Sequence, residues 1–358
     1  MNSIVLKNRT STYINNLSNK IKKNITRKSI SYAPSVNKLL VSLKSIKRTT
    51  MHHCNTVKAF KLQEPLNIAI TKHRCARYDT LTAKKVLLNK LRANKHIIIS
   101  KIIPPKQIDG NCWFNVMFVC FFISDKGRKF FHFFRQLMIQ GKDVLGKPIP
   151  EGLKDAFALL NYGVELSISG SKYAVNVDTN YIILDIYDNI PNEYKTNVPD
   201  EGDAGNPIFY YNAIMQYLNN NSVSILEHRI TQDWNTTLTT RITSMPKIPH
   251  IIILSGYQPI TNKLITFTIG NFKYALDSAA IINDTSKTSD AHFTATLTCE
   301  HKEMAFDGLS FHRIIPLNWK KNLNKNVYWQ FEGSENKDGP LLWNFQTCYQ
   351  QLIYYRIK

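Results

Sequence analysis

The first 58 residues of this 358-residue chain contain no aspartate or glutamate, and only two acids, Glu64 and Asp79, occur before residue 107. Against them stand 23 Lys or Arg, so residues 1–106 carry a formal +21, while the other 252 residues sum to −1. A net charge of +20 over a whole chain would point to nucleic acid. Confined to one arm, it says little about what the remainder binds. No CxxC pair occurs among the six cysteines, Cys54, Cys75, Cys112, Cys120, Cys299 and Cys348. That argues against a disulfide framework and a paired-cysteine zinc site, and for reduced thiols in a cytosol-like compartment. His52, His53, Cys54, His73 and Cys75 match no usual ligand spacing, so no metal is expected. The most apolar run, Val116 to Ile123, is too short to span a bilayer, and the N-terminus has no apolar signal segment. A soluble protein without a transmembrane segment is therefore expected. No internal repeat is visible, and an Asn, Lys and Ile bias suggests an AT-rich genome.

Residues 1–58 lack sustained periodicity and read as a largely disordered basic arm, with one helix near Val36 to Ile46. Leu81 to His96 is a basic amphipathic segment. It reads as a solvated face packed on a domain, or as a weak contact for nucleic acid or another anionic surface; no aromatics interleave the bases as on a single-strand platform. Pro104-Pro105 marks the entry to the globular part, which we place at residues 97–358, with 1–96 as an extension. Helices are expected at 112–123, 126–140, 151–161 and 207–218, with a strand at 181–187. From residue 222 the chain turns β-rich, with strand candidates at 222–229, 236–243, 248–254, 264–269, 271–276, 292–299, 303–306 and 348–356. Helices first and a mostly antiparallel sheet second is an α+β plan.

Two stretches carry chemistry. In Asp109-Gly110-Asn111-Cys112-Trp113-Phe114-Asn115 a glycine turn delivers a cysteine to the first turn of a buried helix, where the helix dipole favours a thiolate. Gln107, five residues upstream, can aim an amide at the oxyanion formed when Cys112 attacks a carbonyl. The bland alternative is a buried structural cysteine. In the second stretch, His292 to Cys299 alternates faces as a strand and returns through Met304-Ala305-Phe306-Asp307-Gly308. A hairpin centred near residues 299 and 300 sets Asp307 directly opposite His292, where a carboxylate fixes the imidazole's orientation.

Together these boxes resemble the ubiquitin-specific proteases, papain-like cysteine deubiquitinases in which Cys, His and Asp/Asn occur in that order. Gly110-Asn111-Cys112-Trp113-Phe114-Asn115 resembles the Cys box, Asn-Thr-Cys-Tyr-Met-Asn. Ile248 to Leu254 resembles the Leu-Pro plus apolar strand of the palm; Tyr274-Ala275-Leu276 and the loop to Ala291-His292-Phe293 resemble the His box. Phe306-Asp307 falls where the family has Phe-Asp-Asp, and 347–356 resembles its closing Ala-Tyr-x-Leu-x-Tyr strand. The likeness is collinear over about 97–358. It departs at Gln107 (usually Asn), Ala291 (usually Gly), Gly308 (usually Asp) and in lacking the paired CxxC of the fingers; the middle also looks short for a full fingers subdomain. Asp-Gly-Asn-Cys is also similar to ovarian-tumour-type deubiquitinases, in which Asp109 would join the site.

The resemblance implies a papain-like fold, helical thumb plus palm sheet, and a cofactor-free thiol isopeptidase. Cys112 would be the nucleophile, His292 the base, Asp307 its orienting partner and Gln107 the oxyanion donor. The expected partners are conjugates of ubiquitin or a ubiquitin-like protein, cleaved after the modifier's C-terminal glycine. Ala291 and Gly308 also admit a non-catalytic ubiquitin-binding or virion structural protein that keeps the fold. The basic arm admits an accessory nucleic-acid contact. The lysine-heavy style suggests a large DNA virus, and so a host cytoplasm or virion location.

Overall fold

The computed structural model describes residues 4–6 and 66–358, except 72, 95, 109, 144, 172–173, 175–176, 196–204, 219–222, 258, 287–289 and 311–312. The basic arm beyond Ile4–Leu6, the helix expected at 36–46 and Asp109 lie outside the described residues. In chain order the elements begin β1 (Ile4–Leu6), β2 (Asn67–Thr71), β3 (Arg74–Arg77), α1 (Leu81–Ala93), α2 (Cys112–Phe122), α3 (Asp125–Phe130) and α4 (His132–Gln140). They continue α5 (Leu153–Ser169), α6 (Thr179–Asn189), α7 (Asn192–Lys195), α8 (Pro207–Tyr217), β4 (Ile225–Arg229), α9 (Trp234–Thr243), β5 (Ile251–Gly256) and β6 (Thr266–Ile269). The last are β7 (Phe272–Ile282), β8 (Phe293–Cys299), β9 (Lys302–Phe306), β10 (Ile315–Pro316), β11 (Trp329–Phe331), β12 (Glu335–Asn336), β13 (Gly339–Pro340) and β14 (Gln350–Arg356). The plan is α+β. Among the described residues no helix is long and apolar enough to cross a membrane.

The chain divides into two units, each assembled from separated segments. One comprises residues 8–105 and 132–189. In it the β2–β3 hairpin packs on α1, and α1, α4, α5 and α6 pack in succession. Thr80 caps α1 by accepting from the Ala83 N–H, and Ala83, Leu87 and Leu91 form its buried stripe. Gly170 ends α5 in the left-handed region at φ 72°, and a Cβ there would lie 2.4 Å from the Lys101 carbonyl oxygen. The interior carries a polar network: Arg135 pairs with Glu165 and donates to Asn161 at 2.9 Å, and Asn94 donates to Glu165 at 2.7 Å. Cys75, in β3, is disulfide-bonded, which corrects the expectation of reduced thiols throughout; Cys112, Cys120, Cys299 and Cys348 are free.

The other unit, residues 1–7, 106–131 and 190–358, holds an eight-stranded sheet in the order β10-β9-β8-β7-β14-β5-β4, with β6 also on β7. Only β4–β5 is parallel within it. Helix α2 packs on β8 and β7, while α9, Trp319, Trp343 and Phe345 join the core on the sheet. Successive residues Tyr274 to Ile281 of β7 are all buried, which requires cover on both faces. Burying eight strands' worth of apolar surface in this way is the main stabilising contribution, at roughly 25 cal/mol per Å².

Two expected strands are helices. Residues 181–187 lie in α6, where Ile182, Ile183 and Ile186 face inward at helical spacing. Residues 236–243 lie in α9, whose buried Trp234, Leu238 and Ile242 recur every four residues and outweigh the β-preference of its threonines. The single helix expected at 126–140 is broken into α3 and α4 around Phe131.

Candidate functional site

Gly110 takes φ 63°, turning the chain so that Cys112 opens α2 at the helix's electropositive end. All eleven residues of α2 are buried, Trp113 and Phe114 against Tyr210 of α8, so the helix is fixed along its length. The Cys112 sulfur lies 4.0 Å from the Gly110 carbonyl oxygen. His292 stands just before β8 and Asp307 just after β9. His292 Nε2 and Asp307 Oδ1 are 2.6 Å apart. Residual exposure is ordered along the row, at 8% for Cys112, 3% for His292 and none for Asp307, so Cys112 is the least buried of the three.

The β8–β9 register differs from the expected one. Cys299 pairs with Lys302 and Ala295 with Phe306 across a turn at Glu300 and His301, so Asp307 reaches His292 diagonally instead of standing opposite it. Glu300 and His301 have φ of 47° and 61°, and their N–H groups donate to the Asp125 carboxylate at 2.7 and 2.9 Å. That carboxylate holds a turn that would otherwise call for glycine.

Burial pulls the His292 pKa down, but hydrogen bonding to Asp307 and Cys112, and their charges, outweigh it and carry it up to about 9. For Asp307 burial acts upward and is outweighed by the His292 hydrogen bond and charge, the Leu309 N–H and the Ser310 side chain, which together lower it. Asp307 and Cys112 thus make His292 a stronger base than a free imidazole and stabilise the imidazolium once it forms. With Nε2 on Asp307, Nδ1, which has no nitrogen or oxygen partner, is the atom left for the thiol proton.

Gln107 N–H donates to the Gly308 carbonyl at 3.0 Å, which brings the residue expected to serve the oxyanion beside the aspartate strand. The four expected residues, Cys112, His292, Asp307 and Gln107, therefore come together in one unit. Several supporting residues had no role assigned from sequence. Asn283 Oδ1 accepts from the His292 N–H at 2.6 Å and its amide donates to the Asp290 carbonyl at 2.9 Å, closing the loop that ends at His292. Trp343 lies edge-on to the imidazole at 6.0 Å between ring centroids. Asn111 and Asn115 hold the loop before α2. An asparagine on each side of a reactive residue, in chain segments with no need of one for helix or strand, was the available signal. Among the described residues no group of three or more His, Cys, Asp or Glu is placed to hold a metal.

No protein-family description matches the chain, and no curated protein does. Among solved structures it is similar to the SAGA Ubp8/Sgf11/Sus1/Sgf73 DUB module bound to ubiquitin aldehyde, at TM-score 0.44 and 10% identity over 72% of this chain and 70% of that one. It is similar to the module with a Ubp8 cysteine-to-alanine change bound to monoubiquitin, at 0.45 and 9% over 72% and 70%. A yeast SAGA module with an Sgf73 mutant matches at 0.37 and 10%, over 72% and 69%.

Proposed function

We propose that this protein is a thiol-dependent isopeptidase of the deubiquitinase kind, acting through Cys112, His292 and Asp307. The observation that carries the reading is the row itself: a cysteine opening a buried helix, and a histidine hydrogen-bonded through Nε2 to a fully buried carboxylate at 2.6 Å. His292 takes the thiol proton, and the Cys112 sulfur attacks the carbonyl carbon of the scissile bond. The carbonyl oxygen becomes an oxyanion facing the Gln107 amide and the backbone at the start of α2. Collapse breaks the C–N bond as His292 returns its proton to the leaving amine, leaving a thioester. Water, deprotonated by His292, then releases the acyl group as a carboxylate and restores the thiol. Asp307 holds the ring throughout without changing its own protonation. The acyl group is assigned to the C-terminal glycine of ubiquitin or a ubiquitin-like protein on the resemblance of the Cys and His boxes.

The test is a panel of electrophilic ubiquitin and ubiquitin-like probes, with adducts read by mass spectrometry. One probe should label wild-type protein at Cys112 and leave Cys112→Ala unlabelled. Folded protein that takes up none of them would overturn the reading.

A further inference from the structure

We infer that Gly308 and Asn115 are positioning residues for the Gln107 amide, an inference that rests on the thiol-acylation chemistry just proposed. Gln107 lies in the loop before α2, and three consecutive residues of that loop are held by their backbone. The Lys106 carbonyl accepts from Asn115 Nδ2 at 3.2 Å, the Gln107 N–H donates to the Gly308 carbonyl at 3.0 Å, and the Ile108 N–H donates to Asn111 Oδ1 at 3.0 Å. Asn115 also donates to Asn111 Oδ1 at 3.2 Å, so both asparagines, on the first turn of the helix that carries Cys112, work as one clamp. The Gln107 head group has no such anchor: its Oε1 is buried without a hydrogen-bond partner. Where the amide sits is therefore decided by the backbone beneath it.

Gly308 has a particular part in this. It follows Asp307 directly, so one turn of chain fixes both the imidazole and the oxyanion arm. A Cβ at 308 would stand 3.1 Å from Gln107 Cβ and 3.2 Å from Gln107 N, tighter than ordinary contact, and would push the loop back by a few tenths of an ångström. The glycine that departs from the resembled motif is thus the one that lets the Gln107 backbone and Cβ come close.

The experiment compares two reactions of Cys112 in the full chain, each followed as modified Cys112 peptide by mass spectrometry. Acylation by p-nitrophenyl acetate passes through an oxyanion; alkylation by iodoacetamide is a displacement and does not. Removing a positioned oxyanion donor typically costs about 10²–10³ in rate, and Gln107→Ala should lower acylation on that scale. Gly308→Ala and Asn115→Ala should lower acylation about tenfold with alkylation within about twofold, as misplacement costs less than removal. In a Gln107→Ala background, Gly308→Ala should add less than about twofold. A parallel fall in both reactions, an equal cost of Gly308→Ala in both backgrounds, or no effect at all would overturn the inference. Should Asn115→Ala, at a fully buried site, not fold, Gly308→Ala, which adds one methyl group, carries the test alone. The small ester makes the result independent of the modifier: failure of every ubiquitin-like probe with acylation intact faults only the substrate assignment, whereas a Cys112 that neither acylates nor alkylates faults both.

Discussion

Asp307→Asn is the perturbation whose size follows most directly from the geometry. The carboxylate contributes both a 2.6 Å hydrogen bond and a full charge to His292, whose pKa stands at about 9 against an ordinary 6.5. That difference corresponds to about 3 kcal/mol favouring the imidazolium in the folded protein. The amide keeps the shape and an acceptor oxygen but loses the charge, so only Cys112 is left to oppose burial and His292 should titrate well below its wild-type value. The sign for stability follows. A histidine raised on folding contributes stabilisation that is complete below 6.5 and is lost as pH rises through about 9. Asp307, lowered on folding, contributes stabilisation present above the ordinary carboxylate range and lost as pH falls through its folded value. NMR titration of the His292 ring, assigned through His292→Gln, reads the pKa; urea unfolding at about pH 6 and about pH 10 reads the stability. Relative to the variant, the wild type should lose up to about 3 kcal/mol between those conditions. A wild-type His292 that titrates at or below 6.5, or a variant whose titration does not move, would refute the reasoning.

Three further outcomes are expected. Asn283→Ala removes the acceptor of the His292 N–H and the donor to Asp290, and should cost about 2 kcal/mol in urea unfolding, with slower Cys112 labelling by the reactive probe. His301→Gly relieves a left-handed residue at φ 61° on an exposed turn and should stabilise by about 1 kcal/mol, seen as a rise in Tm of a few degrees. Asp125→Ala strips the same turn of both acceptor bonds and leaves Arg128 without one of its two carboxylates, so it should destabilise by about 2–3 kcal/mol; an unchanged Tm would remove Asp125 from its part in the hairpin.

What could be read from the chain without coordinates was what is local. The glycine, the cysteine and the apolar run after it are contiguous, so α2 and its buried face were legible. His292 and Asp307 are joined by one hairpin, and their pairing survived a two-residue error in register because an aspartate just past the strand end reaches diagonally. Residues 236–243 were misread because five threonines suggest β structure, whereas the fold was decided by Trp234, Leu238 and Ile242, whose spacing counts only once a sheet is there to receive them. Asn115, Asn283 and Gly308 had no role legible in the sequence. Each acts on a residue brought to it by tertiary structure, and nothing about an asparagine's neighbours in sequence says which carbonyl it will meet.

The position of β14 has a consequence for how the protein comes into being. Among the described strands it comes last in chain order, yet it lies between β7 and β5 in the middle of the sheet. At about 5–20 residues per second, residue 356 follows residue 112 by roughly 10–50 s. Until residues 292 and 307 are made the nascent cysteine has neither its histidine nor its aspartate, and until residue 350 follows, β7 and β5 lack the neighbour they share. The sheet is therefore completed only when the central strand inserts. Any shortfall at that step leaves exposed β edges, so a chain that stops before residue 350 is a candidate for chaperone capture and degradation.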